Sequence, residues 1–297
     1  MQVLEAAVLK YAAEHANDDG IACTPIEGLR MMRAFGPRGP LHSIYRPLVC
    51  FVLQGAKRLD VAGEVRTFGA GQAVVVTVDA PVTGRIVQAS PAAPYLAVAV
   101  ELQMAMLREL AAQTQPRSAS RMRPVSRLFA EDSDAAALDC AARLVRLLDY
   151  PDDAPLLAAG ILRELHYWLL AGRHGSSLRG LALPDSAAQR LLESVRILRS
   201  NFRSTLRIED LAAASHMSTA TFHKRFKAMT SLTPVQFQKQ LRLIEARRLM
   251  VDEGKPAGVA ADQVGYGSVS QFTREYARMF GAPPATHVRS LAAPARV

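Results

Sequence analysis

One passage near the end of this chain occurs twice, fifty positions apart, and any fold has to house both copies. LAAASHMSTATFHKRFKAMTSLTP lies over AADQVGYGSVSQFTREYARMFGAPP, so that Ser218 meets Ser268, Phe222 meets Phe272 and Phe226 meets Tyr276. Met229 likewise meets Met279, and Pro234 meets Pro284. Like residues recurring at one offset mark a supersecondary unit used twice. Each copy reads as helix, turn, helix. In the first, Ile208–Ala214 is a short helix with Leu211 and Ala212 inward, and His216-Met217 is the turn. Ser218 then caps the next helix, because its hydroxyl accepts from a free N–H of the first turn. In the second copy Gly265-Tyr266-Gly267 is the turn and Ser268 the cap. Spacings of four and three place Phe222, Phe226 and Met229 on one buried face. Phe272, Tyr276, Met279 and Phe280 form the matching stripe.

The opposite faces carry the chemistry. The first shows Thr219, Ala220, His223, Lys224 and Lys227; the second shows Val269, Ser270, Gln271, Thr273 and Arg274. The first turns of a recognition helix are where side chains reach base edges in a major groove. Arg and Lys suit guanine, Gln suits adenine, and an apolar group such as Val269 suits a thymine methyl. Charge points the same way. From Asp185 onward 17 Lys and Arg stand against 9 Asp and Glu, so nearly all of the chain's net +9 sits in this part. A basic module beside a near-neutral one selects a polyanion, nucleic acid before membrane. Between the copies, a helix from Pro234 carries Leu241, Ile244, Ala246, Leu249 and Met250 on its apolar face. It fixes the two second helices relative to each other, for entry into successive major grooves about 34–36 Å apart. Arg225, Lys227, Lys239 and Arg242 are the expected phosphate contacts.

The earlier part reads differently. Leu4, Val8, Tyr11 and His15 recur at helical spacing, and Gly20 ends that helix. From Tyr45 to Leu102 short segments rich in Val, Leu and Ile alternate with Gly and Pro, the pattern of a small antiparallel barrel or sandwich. Ala62-Gly63 is an expected hairpin turn. After Glu101 come two apolar helices, one with Leu138, Ala141, Leu144, Val145 and Leu148 on a face, the other with Leu157, Ile161, Leu165, Trp168 and Leu169. HGSSLRGLALPDS carries Gly, Ser and Pro and reads as a linker. The expected class is α+β: residues 1–182 form an antiparallel β-barrel with flanking helices, and residues 183–297 an all-α domain with two helix-turn-helix units. Three scattered cysteines fit no disulfide framework and suggest a reducing compartment. The N-terminus, broken by Glu5 and Lys10, does not read as a signal peptide, and no apolar run approaches a membrane span. The expected location is cytoplasmic, with no membrane partner.

At VGYGSVSQFTREYARMFGAPP, and over about Asp185 to Arg289, the chain resembles the AraC/XylS family of bacterial transcription regulators. That family's signature is Gly-Tyr, a serine-rich start, Phe, Arg, an aromatic, then Phe-Gly and Pro. The resemblance implies double-stranded promoter DNA as partner, and admits RNA polymerase as a further one. It places base-reading roles on Ala220, His223 and Lys224, and on Val269, Ser270, Gln271, Thr273 and Arg274. Ala220 is small where larger side chains can occur, so reading by the first helix is sparse. SIYRPLVCFVLQGAKRLDVAGE, PVTGRIVQASPAAPYLAVAVEL and RELHYWLLAG resemble the cupin-like N-terminal domain of one AraC-type subgroup. In the wider family such a domain senses a small molecule, dimerises, or both.

Tyr45, Arg46, Gln54 and Lys57 are candidates for a barrel mouth that takes a small-molecule effector, and Cys50 and Cys23 are candidate sensing thiols. Cys50 sits mid-strand near Lys57 and Arg58, where an electropositive setting favours a reactive thiolate; equally, it is a small buried apolar group. Cys23 falls in an expected loop. The expected strand region holds no histidine, His42 lying just before it, so neither metal nor cofactor nor catalytic site is expected. Four accounts of this part stay open: a sensor of a small-molecule or reactive-electrophile signal, a barrel that only dimerises beneath a ligand-independent DNA binder, a thiol-based redox sensor, and a catalytic barrel fused to a DNA-binding domain, against which the missing metal cluster argues. Monomer and homodimer are both allowed.

Overall fold

Leu4, Val8 and Ala12, spaced by four, are the buried residues of α1 (Gln2–His15), a single stripe that packs one face inward. The computed structural model describes residues 2–61, 63–77, 79–114, 128–173, 175–182 and 187–292. After α1 come β1 (Ile21–Cys23), β2 (Leu29–Ala34), β3 (Arg38–Tyr45), β4 (Leu48–Gln54) and β5 (Ala56–Val61). These are followed by β6 (Glu64–Gly69), β7 (Gln72–Val76), β8 (Ala80–Gln88) and β9 (Tyr95–Glu101). Then come α2 (Met104–Gln113), β10 (Leu128–Asp132), α3 (Ala135–Arg146), α4 (Ala154–Ala171) and α5 (Gly175–Ala182).

The strands form two antiparallel sheets, one ordered β1-β2-β9-β4-β7-β10 and the other β3-β8-β5-β6. The sheets keep free edges at β1 and β10, and at β3 and β6, so the expected barrel is open rather than closed. Central strands β4 and β9 are buried on both faces and therefore read as continuous apolar runs. Strand structure starts earlier than the sequence pattern indicates. β1 is too short to show alternation, and β3 is an edge strand whose residues are almost all half-buried or exposed. His42 therefore lies inside the strand region, on β3, its Nδ1 3.3 Å from Thr83 Oγ1. β10, also unanticipated, pairs along β7 from Leu128↔Val76 to Asp132↔Gln72. The hairpin from β5 to β6 closes at Val61↔Glu64. Gly63, at φ +84°, donates its N–H to Asp60 Oδ1, while Ala62 lies outside the described residues.

Asp134 caps α3 by accepting from the N–H groups of Ala136 and Ala137. α4 is rotated from the expected stripe: it buries Ala154, Ala158, Leu162, Leu165, His166 and Leu170 and leaves Leu157 53% exposed. The alanines decide this, because they allow close approach on a face that leucine counting overlooks. The expected linker is helical over α5. Leu178 and Ala182, four apart, are buried, and the Arg179 guanidinium donates to the carbonyls of Ala111 and Thr114. His174 and residues 183–186 of that segment lie outside the described residues.

The chain divides into two compact units, Met1–Gln189 and Arg190–Val297. The second is helical: α6 (Ala187–Ser200), α7 (Ile208–Ala214), α8 (Thr219–Thr230), α9 (Pro234–Val251), α10 (Ala257–Gln263), α11 (Val269–Phe280) and α12 (Pro284–Ala292). Phe222, Phe226 and Phe237 anchor one half of its core. Phe272 and Tyr276, with Leu249, Ala261, Val264 and Tyr266, anchor the other. The repeat has two offsets. In the first copy Met217 N–H donates to Ala212 O, and in the second Tyr266 N–H donates to Ala261 O, so helix and turn recur at forty-nine. Gly267 is then one extra residue, and the capping serines recur at fifty.

Candidate functional site

Both serines act as caps. Ser218 Oγ accepts from Thr221 N–H and Ser268 Oγ from Gln271 N–H, each at 3.3 Å. The caps start α8 and α11 where the repeat requires, and burial of Phe222 and Phe226, and of Phe272 and Tyr276, fixes which face of each helix looks out. The outward set is the expected one in position. Thr219, Ala220, Lys224 and Lys227 are exposed and His223 is half-buried; Val269, Ser270, Gln271 and Arg274 are exposed and Thr273 is half-buried. Two of these side chains already have partners. Thr273 Oγ1 donates back to Val269 O at 2.9 Å, and Gln271 Nε2 donates to Glu275 Oε1 at 3.3 Å.

Ion pairing sorts the cations of this unit. Arg196 pairs with Glu193, Arg203 and Arg248 with Glu245, and Lys239 with Glu275. Among the described residues Lys224, Arg225, Lys227 and Arg274 make no ion pair. All four are exposed on α8 and α11, so their charge is left for an external anion. Two expected phosphate contacts have partners within the unit. Arg242 is a clamp within the unit, its guanidinium donating to the carbonyls of Phe202 and Gly265 at 2.8 Å and to those of Arg203 and Ser204 at 3.2 Å. Lys239 Nζ lies 2.8 Å from Glu275 Oε1. Sequence reading missed this because a cation bound to carbonyls of distant loops has no local signature. Burial pushes the Glu275 carboxyl up, but hydrogen bonds from Lys239, Tyr266 and Gln271 outweigh it and hold the carboxyl below the usual range. The charged carboxylate thus ties α9, the second turn and α11 together through Lys239 and the Tyr266 hydroxyl, 2.8 Å away.

In the first unit the structure brings Lys57 and Tyr45 together, Nζ donating to Oη at 3.0 Å. Cys50 is mid-strand on β4 and half-buried. Burial pushes its thiol up to about 11, and the opposing pull of Lys57 is the smaller effect, so the thiol is protonated at neutral pH. Gln54 is half-buried at the end of β4, beside an irregularity in its pairing with β9. Cys23 stands apart from this group and is not in a loop: it ends strand β1, exposed, with its carbonyl accepting from Tyr11 Oη. Tyr95, on β9, was not singled out from sequence; its hydroxyl is fully buried and has no hydrogen-bond partner among the described residues. Among the described residues no three His, Cys, Asp or Glu side chains gather as a metal site, and no helix is long and apolar enough to cross a membrane.

Residues 25–177 match the model of the AraC-type transcriptional regulator N-terminus, and residues 211–290 match that of a helix-turn-helix domain. Among curated proteins, the RCS-specific HTH-type transcriptional activator RclR of Escherichia coli K12 is 38% identical over 88 residues, covering 29% of this chain and 31% of RclR. The activator RhaS of Citrobacter koseri is 28% identical over 151 residues, covering 50% and 53%. The chain thus spans about a third to a half of the length of the curated relatives it matches. Among solved structures, fatty-acid-bound ToxT from Vibrio cholerae superposes with a TM-score of 0.60 at 11% identity, covering 88% of this chain and 93% of ToxT. That likeness is one of fold.

Proposed function

Because the chain belongs to the AraC-type transcriptional regulators, we propose that it reads one specific promoter site through α8 and α11, under the control of a small molecule bound by its first unit. The observation that carries the DNA reading is the sorting of charge. Carboxylates neutralise Arg196, Arg203, Arg248 and Lys239, while Lys224, Arg225, Lys227 and Arg274 are left bare on the two helices whose caps and aromatic stripes aim them outward. Lys227 and Arg225 supply phosphate affinity. Ala220, His223, Lys224, Val269, Ser270, Gln271, Thr273 and Arg274 supply choice of sequence. Control by a ligand is supported by the Tyr45 and Lys57 pair inside the first unit, and by ToxT, a protein of like fold solved with an unsaturated fatty acid bound. No enzymatic activity is assigned.

Selection of genomic fragments by the purified full-length protein, at about 150 mM salt, tests the DNA reading. The expected outcome is enrichment of one or a few promoter fragments sharing a motif. Uniform weak enrichment across the genome, with and without cell extract as a source of effector, would sink it.

A further inference from the structure

The two sheets of the first unit enclose a polar group that a sandwich core does not need. Pairing registers place Met32 opposite Ala97 and Cys50 opposite Ala99, and Tyr95 lies two residues before Ala97. Alternation along a strand therefore puts Met32, Cys50, Tyr95, Ala97 and Ala99 on one face of the six-stranded sheet. That face looks at the four-stranded sheet, because Lys57 Nζ on β5 lies 3.4 Å from Met32 Sδ on β2.

Lys57 is 6% exposed. Its partners are the sulfur of Met32 and the hydroxyl of Tyr45, both neutral, and among the described residues no carboxylate pairs with it. Buried ammonium groups are ordinarily paired. The sheet is shaped around this one: a Cβ on Gly84 would stand 2.9 Å from Lys57 Cε. A second group is unsatisfied. The Tyr95 hydroxyl is wholly buried without a hydrogen-bond partner among the described residues, and burial, then Cys50, then Tyr45 raise its pKa, so it remains a proton donor set among these side chains. A third observation is space. Cys50 and Ala99 keep accessible surface although they point between the sheets; farther along the same face Arg30, opposite Ala99, pairs with Glu101.

We propose that this cluster binds the carboxylate of a small organic acid, with Lys57 as its countercharge and the Tyr45 and Tyr95 hydroxyls as hydrogen-bond donors. Two acceptor oxygens and one negative charge satisfy what the protein leaves unsatisfied: an unpaired ammonium and an idle phenol. Charge-assisted bonds of this kind are the strong ones. The apolar body of the acid lies against Cys50 and Ala99, the inward-facing residues that keep accessible surface. This names the class of ligand for the small-molecule control proposed above, and rests on that reading.

The test uses the full-length protein, with thermal melts and titration calorimetry at matched ionic strength. The probes are sodium butyrate, hexanoate and benzoate, each beside its neutral primary amide. At least one acid is expected to raise the Tm of the wild type, and its amide is not. Lys57→Met keeps the apolar stem and is expected to weaken the acid at least about tenfold. It should leave the ligand-free Tm unchanged or higher, since it removes a buried unpaired charge. Tyr95→Phe removes only the idle hydroxyl and is expected to weaken the acid severalfold, which keeps the proposal testable should Lys57→Met fail to fold. An acid that binds both variants as tightly as wild type overturns the site. Amides that bind as tightly as acids overturn the anion while leaving ligand control standing. If no probe shifts the melt, and none alters binding to the selected promoter fragments, the carboxylate class and the control reading both fall.

Discussion

Arg274 is exposed near the start of α11, carries no ion pair among the described residues, and is one of the few long cationic side chains on its outward face. Its removal separates base reading from mere attraction. Arg274→Ala is expected to cost roughly 1–3 kcal/mol at the selected site and to relax the preference at one position. Repeating the fragment selection with the variant checks this; an unchanged motif would remove Arg274 as a reader. In the other unit His166 sets a pH response. It is fully buried, its Nε2 accepts from Gln103 N–H at 2.8 Å, and its Nδ1 lies 2.6 Å from Leu162 O, so the ring is neutral with the proton on Nδ1. Burial lowers its pKa from the ordinary 6.5. The unfolded chain therefore takes up a proton near pH 6.5 that the folded chain refuses. The stability this contributes is intact above that pH and is lost as pH falls toward the lower folded value. Thermal melts across the acid range should show a decline that His166→Gln, which retains an acceptor for Gln103, reduces by at most about 1.4 kcal/mol per pH unit.

The second turn and the C-terminal end of α11 offer a matched pair of glycines at the scale of an element. Gly265 and Gly281 sit at φ +85° and +83°, so alanine meets the same backbone strain at both, about 1–2 kcal/mol. They differ in surroundings. A Cβ at Gly265 would lie 2.0 Å from Arg203 O, whereas at Gly281 nothing is within 4 Å. Gly265→Ala should accordingly be the more destabilising by about 1–3 kcal/mol, the cost of overpacking, with equilibrium unfolding as the measurement. Equal losses would show that the Arg242 and Gly265 junction yields freely. The helices of this unit were legible in the sequence because their signals are local: Ser218 and Ser268 as caps, aromatic residues four apart, turns of two and three residues. The outward faces were legible for the same reason. What escaped was determined at a distance. Arg242 and Lys239 read as phosphate contacts until the loop carbonyls that Arg242 binds and the α11 carboxylate beside Lys239 are in view. β1 and β10 had no periodicity long enough to see, α4 was turned by alanines, and Tyr95 became noticeable only when its hydroxyl proved to lack a partner.

For the molecule as a whole, the +9 charge lies mostly on the unit that carries α8 and α11, so affinity for DNA should fall steeply with salt. Lys227→Ala removes one exposed unpaired cation and should reduce the slope of log Kobs against log salt by about 0.9, with the selected sequence motif unchanged. A slope that does not move would place Lys227 away from the phosphates. The repeat itself bears on how the chain meets a genome. Its copies have diverged: Ala220, His223 and Lys224 look out from one helix, Ser270, Thr273 and Arg274 from the other, and Gly267 lengthens only the second turn. With both helices reading bases as proposed, two unlike readers on a single polypeptide would make the recognised word a vector rather than a palindrome. Inverting the site in a promoter presents each half to the wrong helix, so one bound protomer would point along the chromosome toward one neighbouring gene and away from the other.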